Sequence, residues 1–225
     1  MLTRRLLSRD PGAAAVPVRA KSDMKLLVVS DIESKFIWEH FDPELFRDVK
    51  LIISCGDLKA SYLSYLVTMI PAPLFYVHGN HDGSYERKPP MGCECIDGRV
   101  VEYGGLRIAG LGGCMGSDPT NPLQFSEAQM EKRMKKLTGE LKRSKPLDIF
   151  VSHAPAKGIG DMDGFHEGFE CFNTLHREHQ TRLHLYGHIH TVGSPMSRGG
   201  IFESGSTRLI NCAGYRLIDL SEYMV

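Results

Sequence analysis

The feature that most constrains this chain is an uninterrupted apolar run, Leu26-Leu27-Val28-Val29, closed by the polar group Ser30-Asp31-Ile32-Glu33. Such a run reads as a strand buried on both faces, the kind found in parallel sheets covered by helices. The pattern returns. A second run, residues 49–53, ends in Ser54-Cys55-Gly56-Asp57, and a third, Leu74-Phe75-Tyr76-Val77, ends in Gly79-Asn80-His81-Asp82. Helical segments are expected between them. One covers residues 35–46 and breaks at Asp42-Pro43, where Asp42 should cap a restarted turn. The other covers residues 61–70, with Leu63, Leu66, Val67 and Ile70 on one face. Three strand-then-helix units in succession predict a parallel sheet.

The middle of the chain changes character. Residues 93–96, 99–103 and 106–111 read as short strands separated by Asp97-Gly98 and Gly104-Gly105, two hairpin signals that predict an antiparallel meander. A glycine-rich loop, residues 112–116, leads to a charged helix running from Ser126 to about residue 143. A strand at 149–151 ends in Ser152-His153-Ala154-Pro155, and after a helix at 167–179 another, at 183–186, ends in Gly187-His188-Ile189-His190. Residues 201–220 alternate as closing antiparallel strands. His184 is expected within the sheet, His40, His176 and His179 on helix surfaces, and His78 facing away from the loop of His81.

With 42% apolar residues among 225, the chain can bury one large core, expected to occupy residues 24–225 as a single domain. Residues 1–23, rich in arginine and poor in acids, read as an extension outside the fold. Zero net charge and the lack of a long basic block argue against nucleic-acid and membrane partners. No apolar stretch reaches the ~18 residues that a membrane span needs. The six cysteines lack zinc-finger spacing and read as reduced thiols of a cytoplasmic protein. Cys93 and Cys95 share a strand face, but two soft ligands alone do not make a zinc site.

Read together, the strand ends carry one chemistry. Asp31, Glu33, Asp57, Asn80, His81, Asp82, His153, His188 and His190 all fall at carboxyl ends of expected strands, where open α/β sheets place their sites. A mixture of carboxylate, amide and imidazole suits borderline-hard divalent metals, and seven candidate ligands exceed the needs of one ion. Two ions sharing a carboxylate account for them. In order and spacing these motifs resemble those of the calcineurin-like metallophosphoesterases, whose pattern is D-x-H, G-D-x-x-D, G-N-H-[DE], a lone His and G-H-x-H. The resemblance spans residue 25 to roughly the C-terminus. It implies an α/β fold, a four-layer αββα sandwich of two mixed sheets flanked by helices. It further implies a first metal held by Asp31 and His190, Asp57 as bridging carboxylate, a second metal held by Asn80, His153 and His188, and His81 as catalytic histidine.

Two departures stand out. Glu33 replaces the imidazole of D-x-H and is expected to ligate through oxygen. The added negative charge favours Mn²⁺ over Zn²⁺, with Fe, Mg²⁺ and Ni²⁺ as other candidates. Ala60 replaces the second Asp of G-D-x-x-D, so Asp82 becomes the candidate to orient His81. The expected reaction is hydrolysis of a small phosphoester by a metal-bound hydroxide, with His81 stabilising phosphoryl oxygens or protonating the leaving group. Lys59, Cys114 and His166 are candidate substrate contacts, although Lys59 also reads as a solvated helix start and Cys114 as mere loop lining. Alternatives within the same fold are a phosphodiesterase or nuclease, and a non-catalytic protein-binding scaffold, against which His81 argues. Homo-oligomerisation is left open by the sequence.

Overall fold

The structure, a computed structural model, describes residues 21–141, 146–161, 166–190 and 200–224. Strand β1 (Lys25–Ser30) opens the fold, followed by two short helices, α1 (Lys35–Glu39) and α2 (Pro43–Phe46). Ser34 caps the first and Asp42 the second, with Pro43 in its first turn. Then come β2 (Val49–Ser54), α3 (Ala60–Met69), β3 (Leu74–Tyr76) and β4 (Cys93–Cys95). The second half contributes β5 (Val100–Tyr103), β6 (Leu106–Leu111), β7 (Cys114–Met115), β8 (Gln124–Phe125) and α4 (Glu127–Thr138). It continues with β9 (Ile149–Ser152), α5 (Glu170–His179) and β10 (Leu183–Tyr186), and closes with β11 (Ile201–Ser204), β12 (Thr207–Asn211) and β13 (Gly214–Asp219).

Two mixed sheets result, ordered β13-β1-β2-β3-β4 and β11-β12-β10-β9-β6-β5. Strands β1 to β4 are mutually parallel, as are β6, β9, β10 and β12; antiparallel β13, β5 and β11 stand at edges. Three apolar layers explain the stacking. Leu26, Val28, Leu51, Ile53, Ile108, Val151 and Leu185 fill the space between the sheets. Leu27, Val29 and Ile52 point the other way, beneath Ile37, Tyr62, Leu63 and Leu66 of α1 and α3. Phe150 and Leu111 of the second sheet meet Met130, Leu137, Phe172 and Leu175 of α4 and α5. The alternation within β1 is why its apolar run is uninterrupted: both faces are covered. The architecture is the expected αββα sandwich.

Several local expectations are corrected. The meander does not form. Strand β4 takes the open edge of β3 in parallel, and the turn at Asp97-Gly98, with Gly98 at φ +69°, carries the chain into the second sheet instead of back. Only Gly104-Gly105 makes a hairpin, between β5 and β6. The closing strands likewise divide: β11 and β12 finish the second sheet, while β13 crosses to pair with β1. His176 and His179 are buried, each 4% exposed, because α5 turns toward the sheet the stripe Cys171, Phe172, Leu175, His176 and His179. Helix α4 starts at the expected Ser126 cap, with a capping box to Gln129, and ends at Thr138. Of the expected extension, residues 1–20 lie outside the described residues. Residues 21–23 belong with the fold, since Lys21 reaches the buried Asp148 at 2.6 Å.

Candidate metal centre

Each donor stands where a parallel strand stops and the chain turns sharply. Asp31 follows β1, Asp57 follows β2, Asn80 and His81 follow β3, His153 follows β9, and His188 and His190 follow β10. Four described non-glycine residues have positive φ, and three of them are here: Asp31 at +62°, Asp57 at +57° and His188 at +67°. A left-handed backbone costs an L-residue ~1–2 kcal/mol, and it persists where the surroundings fix it. The tight turns also need their glycines. A Cβ on Gly79 would overlap the Asp57 carboxylate, and one on Gly187 would overlap Asp31 and Ser30.

The donors converge across the seam between the sheets. Ligand atoms of Asp31, Asp57 and His153 all lie within 4.8 Å of one another, the sole such group among the described residues. Nδ1 of His153 is 2.8 Å from the Cys55 carbonyl, which can only accept, so this nitrogen carries a proton. That leaves Nε2 facing the Asn80 amide oxygen at 3.1 Å and Asp57 Oδ2 at 3.2 Å. Three lone-pair atoms so arranged need positive charge between them, supplied by a proton on Nε2 or by a divalent cation. A backbone carbonyl fixing the far nitrogen is the usual second layer of a metal-binding histidine. Burial opposes charge on His153, yet the hydrogen bond and charge of Asp57 raise its pKa above the usual value. The Asp57 carboxyl is pushed up by burial, but His153 and the His81 N–H outweigh this and hold it low.

On the other side, the buried Asp31 carboxylate accepts the His188 N–H at 3.1 and 3.0 Å and meets His190 Nε2 at 2.9 Å. The His188 ring lies 4.9 Å from His153 and 4.8 Å from His166. Burial, then the neighbouring histidines, push its pKa down to about 3, which keeps it a neutral, ligand-ready imidazole. His166 thus stands beside the centre. The chemistry of this donor set fits divalent metal.

The remaining candidates separate. His81 is 79% exposed at the mouth, its N–H donated to Asp57 Oδ1 at 2.8 Å and its Nε2 3.9 Å from Asp57 Oδ2. The carboxylate beside His81 is therefore Asp57. Asp82 is buried, and its Oδ2 accepts the Asp57 and Gly79 N–H groups, both at 2.8 Å; it ties the two loops together instead of facing His81. Burial pushes its pKa up to about 6. Glu33 lies outside the converging group, bonded to Trp38 Nε1 at 2.9 Å and to the Lys59 N–H at 3.3 Å. Lys59 is exposed on the rim. Cys114 is buried, and burial, with Asp57 adding to it, pushes its thiol up to about 12, which disfavours the thiolate a nucleophile needs. Two contributors went unread in the sequence. Asn121 donates to the Asn80 carbonyl at 2.9 Å, and Trp38 holds Glu33. Asn121 had the weak signal of lying in the loop after the glycine-rich stretch; Trp38 had none.

Comparison with known proteins agrees with this geometry. The calcineurin-like phosphoesterase family profile matches residues 24–192, and the chain belongs to that family. No curated protein matches the sequence. Among solved structures, TT1561 of Thermus thermophilus superposes with a TM-score of 0.60 at 19% identity, over 88% of this chain and 95% of that one. The phosphopantetheinyl hydrolase PptH from Mycobacterium tuberculosis gives 0.57 at 12% identity, over 86% and 90%. GAP50, the anchor in the inner membrane complex of Plasmodium, gives 0.51 at 14% identity, over 84% and 71%. At such identities the likeness is one of fold. Among the described residues, no helix is long and apolar enough to cross a membrane.

Proposed function

We propose that the chain hydrolyses a small phosphoester, using divalent cations held by Asp31, Asp57, Asn80, His153, His188 and His190. The observation that carries this reading is the convergence of His153 Nε2, Asn80 Oδ1 and Asp57 Oδ2, three acceptor atoms that either a second proton on Nε2 or a divalent cation would bring together, with Asp31 close beside them. Bound metal supplies Lewis-acid charge and makes water acidic enough to act near neutral pH. Mn²⁺ is the first ion to try, given a donor set rich in oxygen and imidazole. The protein's part is positional. Asp57 remains ionised between two histidines, and Asp31 anchors the His188 turn. His81, exposed at the mouth with its backbone fixed by Asp57, can bring Nε2 to a phosphoryl oxygen or to the departing oxygen.

Assays of p-nitrophenyl phosphate and its bis-ester with Mn²⁺ test this and separate monoesterase from diesterase. His81→Ala is expected to lower kcat about 10²–10⁴-fold with bound metal unchanged. Equal turnover by the variant would remove His81 from the mechanism, and no turnover of either ester by metal-replete protein would favour a scaffold role.

A further inference from the structure

We propose that Glu33 is a positioning residue, which holds the Lys59 ammonium at the mouth to receive a second anionic group of the substrate. This rests on the phosphoesterase reading and narrows its substrate class to phosphoesters with a negative charge beyond the reacting phosphate.

Both oxygens of the Glu33 carboxylate contact the protein. Oε2 accepts from Trp38 Nε1 at 2.9 Å and lies 3.6 Å from Lys59 Nζ, while Oε1 accepts the Lys59 N–H at 3.3 Å. The indole that binds it cannot easily turn. Its ring packs against Tyr62 and Tyr65, with centroids at 5.3 and 4.6 Å. The same segment is bolted to α3 by Ser34 N–H to Tyr62 Oη and by Tyr65 Oη to the Ile37 carbonyl. A Glu33 that swung in to ligate metal would strand the half-buried indole N–H and give up its bond to the exposed Lys59 N–H, just ahead of a helix whose N-terminus has no side-chain cap of its own. In place, it does two jobs at once. It accepts the N–H just ahead of that helix, and it leaves the ammonium beside one carboxylate with most of its surface in water.

The cleft beside Lys59, about 500 Å³, is lined by Asp31, Ile32, Asp57, Leu58, His81, Asp82 and Ser84 along with the Glu33–Lys59 pair. Carboxylates dominate this wall near the metal centre, and Lys59 is its one fixed cation among the described residues. A substrate whose phosphorus sits at the donors of the metal centre therefore meets Lys59 and the exposed Ile32 with its leaving portion. That combination accepts an apolar body bearing an anion.

Non-hydrolysable ligands test this without turnover. With metal-loaded protein, calorimetry should show 4-carboxyphenylphosphonate binding ~10-fold more tightly than phenylphosphonate, consistent with a charge-assisted contact. Lys59→Met should bring the two within about twofold, and Lys59→Arg should restore the preference. Equal binding by the wild type, or a preference that survives Lys59→Met, overturns the Lys59 role. Metal content decides the Glu33 role. Glu33→Gln, which can still accept from the indole, should hold as many ions as wild type, and Mg²⁺ should leave the emission of Trp38, the sole tryptophan, unchanged. Loss of one ion in Glu33→Gln, or a Mg²⁺-induced emission change that this variant abolishes, would make Glu33 a ligand. Failure of ester hydrolysis alone would strike the phosphoesterase reading and leave these outcomes readable.

Discussion

Individual residues at the centre are held in conformations they would not choose, and the groups that hold them are as consequential as the donors. Asp82 is the clearest case. One carboxylate oxygen accepts two backbone N–H groups, the buried one of Gly79 and the part-buried one of Asp57, from the loops that carry Asn80 and Asp57. Asp82→Ala leaves both unpaired, so denaturant unfolding should show a loss of about 2–4 kcal/mol, with Asp82→Asn costing less because its amide oxygen still accepts. An alanine variant of wild-type stability would refute this role. The Gly-Asn-His-Asp motif announces itself in the sequence because polar groups at a strand tip have no packing reason to be there. What the motif hides is which neighbour each side chain addresses. In the sequence Asp82 looks free to orient His81, and Glu33 looks free to ligate, because the backbone N–H groups and the indole that claim them come from loops and helices that a linear reading does not connect.

At the scale of elements, α5 and the second sheet enclose neutral histidines. Among the described residues neither ring nitrogen of His176 has a hydrogen-bond partner, and its ring lies 4.9 Å from that of His184. His184 bonds Ser152 Oγ at 2.7 Å through Nε2. Burial pushes the His176 pKa down to about 4 and that of His184 well below its ordinary value, each with a smaller push from a neighbouring positive group. A base whose folded pKa lies below its unfolded value contributes its full stability above the unfolded value, near 6.5, and loses it as pH falls toward the folded one. Acidification from pH 7 to 4 should therefore weaken the fold by about 3 kcal/mol through His176 alone. His176→Leu should remove that share of the acid sensitivity, read as the difference in urea midpoint between pH 7 and 4; an unchanged difference would contradict it. Strands β1, β3 and β9 were legible because two-sided burial writes an unbroken apolar run, which Lys50 interrupts in β2 and His184 in β10. The partner of β4 was not, since a three-residue strand carries no mark of the edge it joins. The burial of His176 was written in its spacing beside Phe172 and Leu175 and obscured only by its polarity.

For the whole molecule, the centre joins the two sheets. Asp31, Asp57 and Asn80 come from the first, His153, His188 and His190 from the second, and bonds such as His153 to the Cys55 carbonyl cross the seam. Metal held by these donors would clamp the two sheets together. A ligand held at 100 times its Kd stabilises by ~2.7 kcal/mol, which for a domain of this size raises Tm by roughly 5–10 °C. Chelation should lower Tm by that amount, and a Tm insensitive to chelator would show that the donors do not hold metal. The most direct test of the account is ester hydrolysis measured as Mn²⁺ is returned to metal-stripped wild type and Asp57→Asn. The account predicts no turnover in stripped protein, a saturable rise in wild type, and a rate at least ~10²-fold lower in the variant, as expected for loss of a central electrostatic group. Wild type that stays inactive when replete, or a variant that matches it, would contradict the claim that these strand ends form a metallophosphoesterase centre.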